Sequence, residues 1–176
     1  ITTTVQTSIW ITEQGAVDLS NCQLHLNRFR QVSAPLNVMD ASNSIMYITE
    51  NIWGGNDSLS TVILSGEVSI GDTLLTETFE LLAGTDLAID GDMMVVANQY
   101  VLEGTATDSI TITSSEAGVP GYFYKSDGFV AGTYLDITDN HAIGGAIFTT
   151  ENSLLNSNVV GWNQIANGLY DLHINI

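Results

Sequence analysis

The chain has 176 residues and a mass of 18.9 kDa, enough for one domain or one stretch of a repeat array with a sizeable buried core. Its 20 Asp+Glu against 3 Lys+Arg give a formal net charge of −17, so Arg28, Arg30 and Lys125 are the whole supply of permanent cations, and nucleic acid and anionic membrane surfaces are poor partners. At 44% hydrophobic residues and a mean hydropathy of +0.19 the chain is no disordered tail, and without a run of 18 apolar residues it offers no membrane-spanning helix.

Two Pro, 16 Gly and short runs rich in Thr, Ile, Val and Tyr, broken by Gly, Asn, Asp and Ser, predict an all-β chain of many short strands. The first expected strand is 3–12, which in a two-sheet sandwich subunit would pair with a neighbour. Residues 16–29 (AVDLSNCQLHLNRF) follow. They hold Cys22, the single cysteine, read as a packed small hydrophobe, and Arg28 and Arg30, which share one strand face as an exposed pair. Turn signals come at Gly54-Gly55, Ser65-Gly66, Gly71-Asp72 and Asp90-Gly91. In 108–113 alternation turns Ile110 and Ile112 one way and Ser109, Thr111 and Thr113 the other. Further turns at Gly144-Gly145 and Asn167-Gly168 precede a last alternating strand, 170–176, with Tyr170, Leu172, Ile174 and Ile176 on one face. No linker or charge block interrupts the chain, so residues 1–176 are read as one domain. Opening at Ile1 with neither Met nor a basic leader, that domain is expected to be a mature form or a segment of a larger secreted or surface protein.

Steps of 21 residues from Val5 reach Leu26, Tyr47, Val68, Ile89, Ile110 and Ala131, all apolar, and a second column runs Leu81, Leu102, Phe123, Ile143, Trp162. A fixed period of this size predicts a solenoid of roughly eight coils with Leu26, Tyr47, Val68, Ile89 and Ile110 in one interior column. Such a rod leaves strand edges open at its ends, which implies neighbouring domains or identical subunits as partners.

Residues 62–115 carry the texture further, with G-E-V-S-I (66–70), L-L-A-G-T-D-L-A-I-D-G (81–91) and L-E-G-T-A-T-D-S-I-T-I-T-S-S (102–115). Over these 54 residues, and less tightly over 122–162, the chain resembles the right-handed parallel β-helix (pectin-lyase-like) repeat proteins of bacterial secreted and surface proteins. It departs from their pattern at Ser109, where Pro is usual, and at Tyr122-Phe123, where Trp-Gly is common. The resemblance implies a right-handed parallel β-helix, with a two-sheet β-sandwich or jelly roll as the alternative, and an extracellular, secreted or cell-surface location, or else a virion.

Many proteins of that family cleave polysaccharides. A lyase needs a cationic or tyrosyl base and an acid for the developing carbanion, and Lys125 is the one lysine. Asp136, Asp139 and His141 in LDITDNHA are the only tight carboxylate group suited to hydrolysis; the same spacing suits a turn in which Asp139 and Asn140 bond their own backbone. No catalytic residue is assigned, and cleavage of acidic polysaccharides is not expected. Asp86, Asp90 and Asp92 flank a Gly and read as turn residues, with a Ca2+ site as the alternative; no other cofactor is expected. Tyr122, Tyr124 and Tyr134 are candidate sugar-stacking residues, with Trp10, Trp53 and Trp162 read as core or end caps. Asn56-Asp57-Ser58 fits the N-glycosylation sequon, and His25, His141 and His173 are read as strand-face residues. The chain is therefore expected to be a non-enzymatic extracellular structural or adhesive module. The alternatives are a carbohydrate-binding or carbohydrate-active β-helix, such as a virion tail or spike segment gripping neutral glycans, and a virion decoration or pilin-like sandwich subunit.

Overall fold

The computed structural model describes residues 2–11, 16–31, 38–55 and 57–165, and among them every regular element is a strand. The first coils contain β1 (Thr2–Ile11), β2 (Ala16–Asp18), β3 (Gln23–Gln31), β4 (Val38–Asp40) and β5 (Ile45–Trp53). The middle coils contain β6 (Leu59–Leu64), β7 (Glu67–Ile70), β8 (Leu74–Leu81), β9 (Asp86–Ile89) and β10 (Met94–Glu103). Next come β11 (Ile110–Ser114), β12 (Gly121–Lys125), β13 (Phe129–Thr133), β14 (Leu135–Ile137) and β15 (Asn140–Gly144), and the last are β16 (Ile147–Glu151), β17 (Leu154–Leu155), β18 (Val159–Val160) and β19 (Trp162–Gln164).

Every strand pairing among the described residues is parallel. That excludes the antiparallel sandwich and establishes a β-solenoid, a parallel β-helix of about seven coils. Three faces surround the core. The first stacks β3, β5, β6, β8, β10, β13, β16 and β19. The second stacks β1, β3, β5, β7, β9, β11, β14 and β17. The third stacks β8, β10, β12, β15 and β18. The longer strands β3, β5, β8 and β10 bend round a corner and serve two faces each.

Like residues stack in the interior because each inward side chain meets the same position one coil away. Leu26, Ile48, Leu64, Leu81 and Leu102 form one ladder, and Phe29, Ile52, Ile70 and Ile89 another. All nine are at most 3% exposed, and burial of each such side chain stabilises by about 1.5–3 kcal/mol. From the middle coils onward the core turns aromatic: Phe79, Tyr100, Phe123, Phe148 and Trp162 pack edge to face or offset, with centroids 5.2–6.0 Å apart. The Tyr100 hydroxyl, buried among them, lies 2.8 Å from the Val95 and Tyr124 carbonyls. Burial holds this phenol well above its usual range, so it stays protonated as the donor.

Corners are made by residues that tolerate a left-handed backbone, among them Asn21, Asn43, Asp92, Asp139, Asn152 and Asn158. Gly144 is a corner of a stricter kind. Its φ is +103°, and a Cβ there would lie 2.0 Å from the Lys125 carbonyl oxygen of the coil below, so only glycine fits.

The expected 21-residue column does not exist as one ladder. Coil length is not constant: Leu24, Met46, Val62, Phe79 and Tyr100 are successive partners at spacings between 16 and 22 residues. Leu26, Val68, Ile89 and Ile110 are buried, but they belong to different ladders. Tyr47 faces outward, stacked on His25 at 4.4 Å with its hydroxyl accepting from Gln23 Nε2. In the second column Leu81 and Leu102 do pair, whereas Phe123 aligns with Ala142 and not Ile143. Cys22 is only half-buried, at the corner preceding β3. Asn56, the 170–176 strand and His173 lie outside the described residues, as does the Trp10 side chain.

A candidate aromatic face on the later coils

β12 runs along the third face from one corner to the next, and period-2 alternation turns Phe123 inward and Tyr122 and Tyr124 outward. Both tyrosines are half-buried. Tyr122 stands in a ladder with Met94, His141 and Val160, and Tyr124 in a ladder with Val96 and Ile143. The His141 ring meets Tyr122 edge to face at 5.6 Å. Beyond the corner at 126–128 the first face begins with Phe129, which is 75% exposed and paired in register with Ile147, 48% exposed. Val160 is also exposed, at 54%. Apolar surface thus lies on both sides of this corner, whose Ser126, Asp127 and Gly128 are themselves exposed.

At the other end of β12 this surface meets a hydrogen-bonded polar corner. Asn158 Nδ2 donates to Asp139 Oδ1 at 2.9 Å, and His141 Nε2 lies 3.0 Å from Asn158 Oδ1. Gly118 N–H donates to Asp139 Oδ2 at 3.0 Å. The Gly118 amide, then Asn158, then the positive potential of His141 hold the Asp139 carboxyl below its ordinary value. Asp139 is thus tied to neighbouring coils and not to its own turn, which corrects the local reading. Its neighbour Asn140 points into the core, where its Oδ1 accepts from Trp162 Nε1 at 3.0 Å.

The other candidate residues are dispersed. Asp136 accepts from Asn156 Nδ2 at 2.5 Å on the second face, whereas Asp139 is held by Asn158 and Gly118. Tyr134 has φ +51° and sits at the corner between β13 and β14, away from Tyr122 and Tyr124. Asp86 begins β9, whereas Asp90 and Asp92 occupy the corner after it; Asp90 there accepts from Ser115 Oγ at 2.7 Å. No three His, Cys, Asp or Glu side chains among the described residues are grouped to hold a metal ion. Lys125 Nζ donates to the Asn98 carbonyl, tying two coils together. Arg28 pairs with Glu50 at 2.7 Å, and the Arg30 guanidinium lies 5.8 Å from the Trp53 ring centre.

Sequence reasoning missed Phe129 and Ile147. In FVAGT both Phe129 and Val130 are apolar, so alternation alone does not say which points out. Comparison with protein-family models, curated proteins and solved structures finds no match.

Proposed function

We propose that this chain is a non-catalytic, extracellular β-solenoid module, akin to the β-helix proteins of bacterial secreted and surface proteins, that adheres to neutral glycans through the aromatic face of its later coils. The observation that carries this reading is the pair of outward tyrosines Tyr122 and Tyr124 on the third face, with the His141 ring against Tyr122 and the 75% exposed Phe129 across the corner from them. Aromatic faces suit the C–H faces of sugars, and tyrosine hydroxyls suit their hydroxyl groups. The net charge of −17 disfavours polyanionic glycans and leaves neutral ones as the substrate class. Stacked coils tied by parallel ladders give the rigid platform that such adhesion needs.

Isothermal titration with neutral and uronic-acid oligosaccharides tests this reading. We expect binding of a neutral oligosaccharide without cleavage, weakened at least tenfold by Phe129→Ala combined with Tyr122→Ala. Equal affinity in the double variant, a preference for the uronic-acid ligand, or the appearance of new reducing ends or unsaturated products refutes it.

A further inference from the structure

The second face carries a different surface. Its outward side chains form two columns across the strands: Glu67, Asp86 and Thr111 are successive partners in one, and Ser69, Ala88 and Thr113 in the other. The second column is short. It leaves an open groove of about 280 Å3 whose walls are mostly apolar, with Glu50, Glu67 and Asp86 along its length. Glu50 is already engaged by Asn27 at 2.8 Å and by Arg28 at 2.7 Å. Glu67 and Asp86 are exposed, lie directly opposite each other on adjacent coils, and have no side-chain hydrogen bond or ion pair among the described residues. Adjacent parallel strands are roughly 4.8 Å apart, and like charges in direct register repel.

We propose that this groove docks an extended peptide segment of a partner protein through a lysine or arginine side chain. The alkyl stem lies over Ala88, and the cation sits between Glu67 and Asp86. Three features select this occupant. An apolar floor contributes nothing to a hydrated metal ion, which takes six or more oxygens when it is calcium, but it matches the methylene stem of a long cationic side chain. The two opposed carboxylates lack a counter-charge that the chain, with 3 Lys+Arg in all, does not supply to them. The overall charge of −17 steers a cationic partner toward the surface and repels an anionic one. The groove is lined by no aromatic residue, which sets it apart from the proposed glycan face, and the two proposals stand or fall separately.

NMR titration of the full chain with an acetylated, amidated peptide Ser-Val-Lys-Val-Ser tests the proposal, with the same peptide carrying Nε-acetyl-lysine as the uncharged control. We expect the lysine peptide to shift the amide resonances of Ser69, Ala88 and Thr113, and the acetylated peptide to bind at least tenfold more weakly. Glu67→Gln with Asp86→Asn should weaken binding at least tenfold. Asp72→Asn with Glu103→Gln, which removes the same charge at exposed positions off the groove, should change it less than twofold. Ala88→Trp, which fills the groove without altering charge, should abolish binding while the thermal transition stays in place. Equal binding of the two peptides, equal weakening by the two charge-neutral pairs, resonance shifts elsewhere only, or no shift at millimolar peptide overturns the proposal. Displacement of the peptide by millimolar Ca2+, but not by NaCl of equal ionic strength, assigns the groove to a metal ion and overturns it as well.

Discussion

Phe123 and Phe129 stand six positions apart and offer a sharp test of which side of the solenoid wall a residue occupies. Phe123 is fully buried and touches Phe79, Tyr100 and Trp162 at centroid distances of 5.8, 5.2 and 6.0 Å. Its ladder neighbours are Val95 and Ala142. With Ala142 already small, Phe123→Ala leaves two alanines stacked, and Trp162, tied by its Nε1 hydrogen bond to Asn140, is held from moving into the space. Truncation of a buried Phe costs about 3–5 kcal/mol in all, and the loss of three aromatic contacts, each worth about 0.5–1.5 kcal/mol within that total, places this site in its upper half. A loss of at least 4 kcal/mol is therefore expected. Phe129→Ala removes a ring that is 75% exposed and should stay within about 0.5 kcal/mol of the parent. Urea denaturation followed by circular dichroism measures both. Because coils in a solenoid depend mainly on their neighbours, hydrogen exchange in Phe123→Ala should accelerate in β10, β12, β15 and β16 well before β3 and β5. A Phe123→Ala cost below 2 kcal/mol, or a uniform acceleration along the rod, refutes the account of the core.

Gly144→Ala meets both a φ of +103° and a backbone carbonyl 2.0 Å from the new Cβ, so its midpoint should fall by several degrees. Gly118→Ala, with φ +82° and open space around it, should cost only about 1 kcal/mol; similar losses in the two variants contradict the close approach of the coils at Gly144. Asp139 has a lowered carboxyl pKa, so the stabilisation it provides is complete above the usual carboxylate range near pH 4 and is lost as pH falls through the lowered value. Asp139→Asn should therefore melt below the parent at pH 7, and the gap should close on acidification below about pH 4. A gap that stays constant from pH 7 to pH 2.5 removes Asp139 as the acid-sensitive element.

Much of the strand content was legible because alternation is a local property of the extended backbone. Ile110 and Ile112 are fully buried while Thr111 and Thr113 face outward, as their spacing requires. Corners were legible for the same reason: Ser65-Gly66 and Gly144-Gly145 coincide with positive φ at Gly66 and Gly144, a conformation few other residues adopt. The pairing of coils was not. It depends on how many residues each corner consumes, and a register error has different consequences according to its parity. Val68 aligns with Leu87 and not with Ile89, two residues away, so the error left both inside. Leu26 aligns with Ile48 and not with Tyr47, one residue away, so the error placed an outward tyrosine in the core. Surfaces assembled across coils were hidden for the same reason. Glu67 and Asp86 become opposite neighbours only when β7 and β9 stack, and Phe129 and Ile147 only when β13 and β16 do. Composition and alternation act along the chain and determined that it would form short strands with one inward-facing side and a strongly acidic exterior; neither says whether those strands pair in parallel. Which side chains share a ladder, a groove or a patch is decided between coils, by corner lengths and by the packing of the core, and only the tertiary structure contains it.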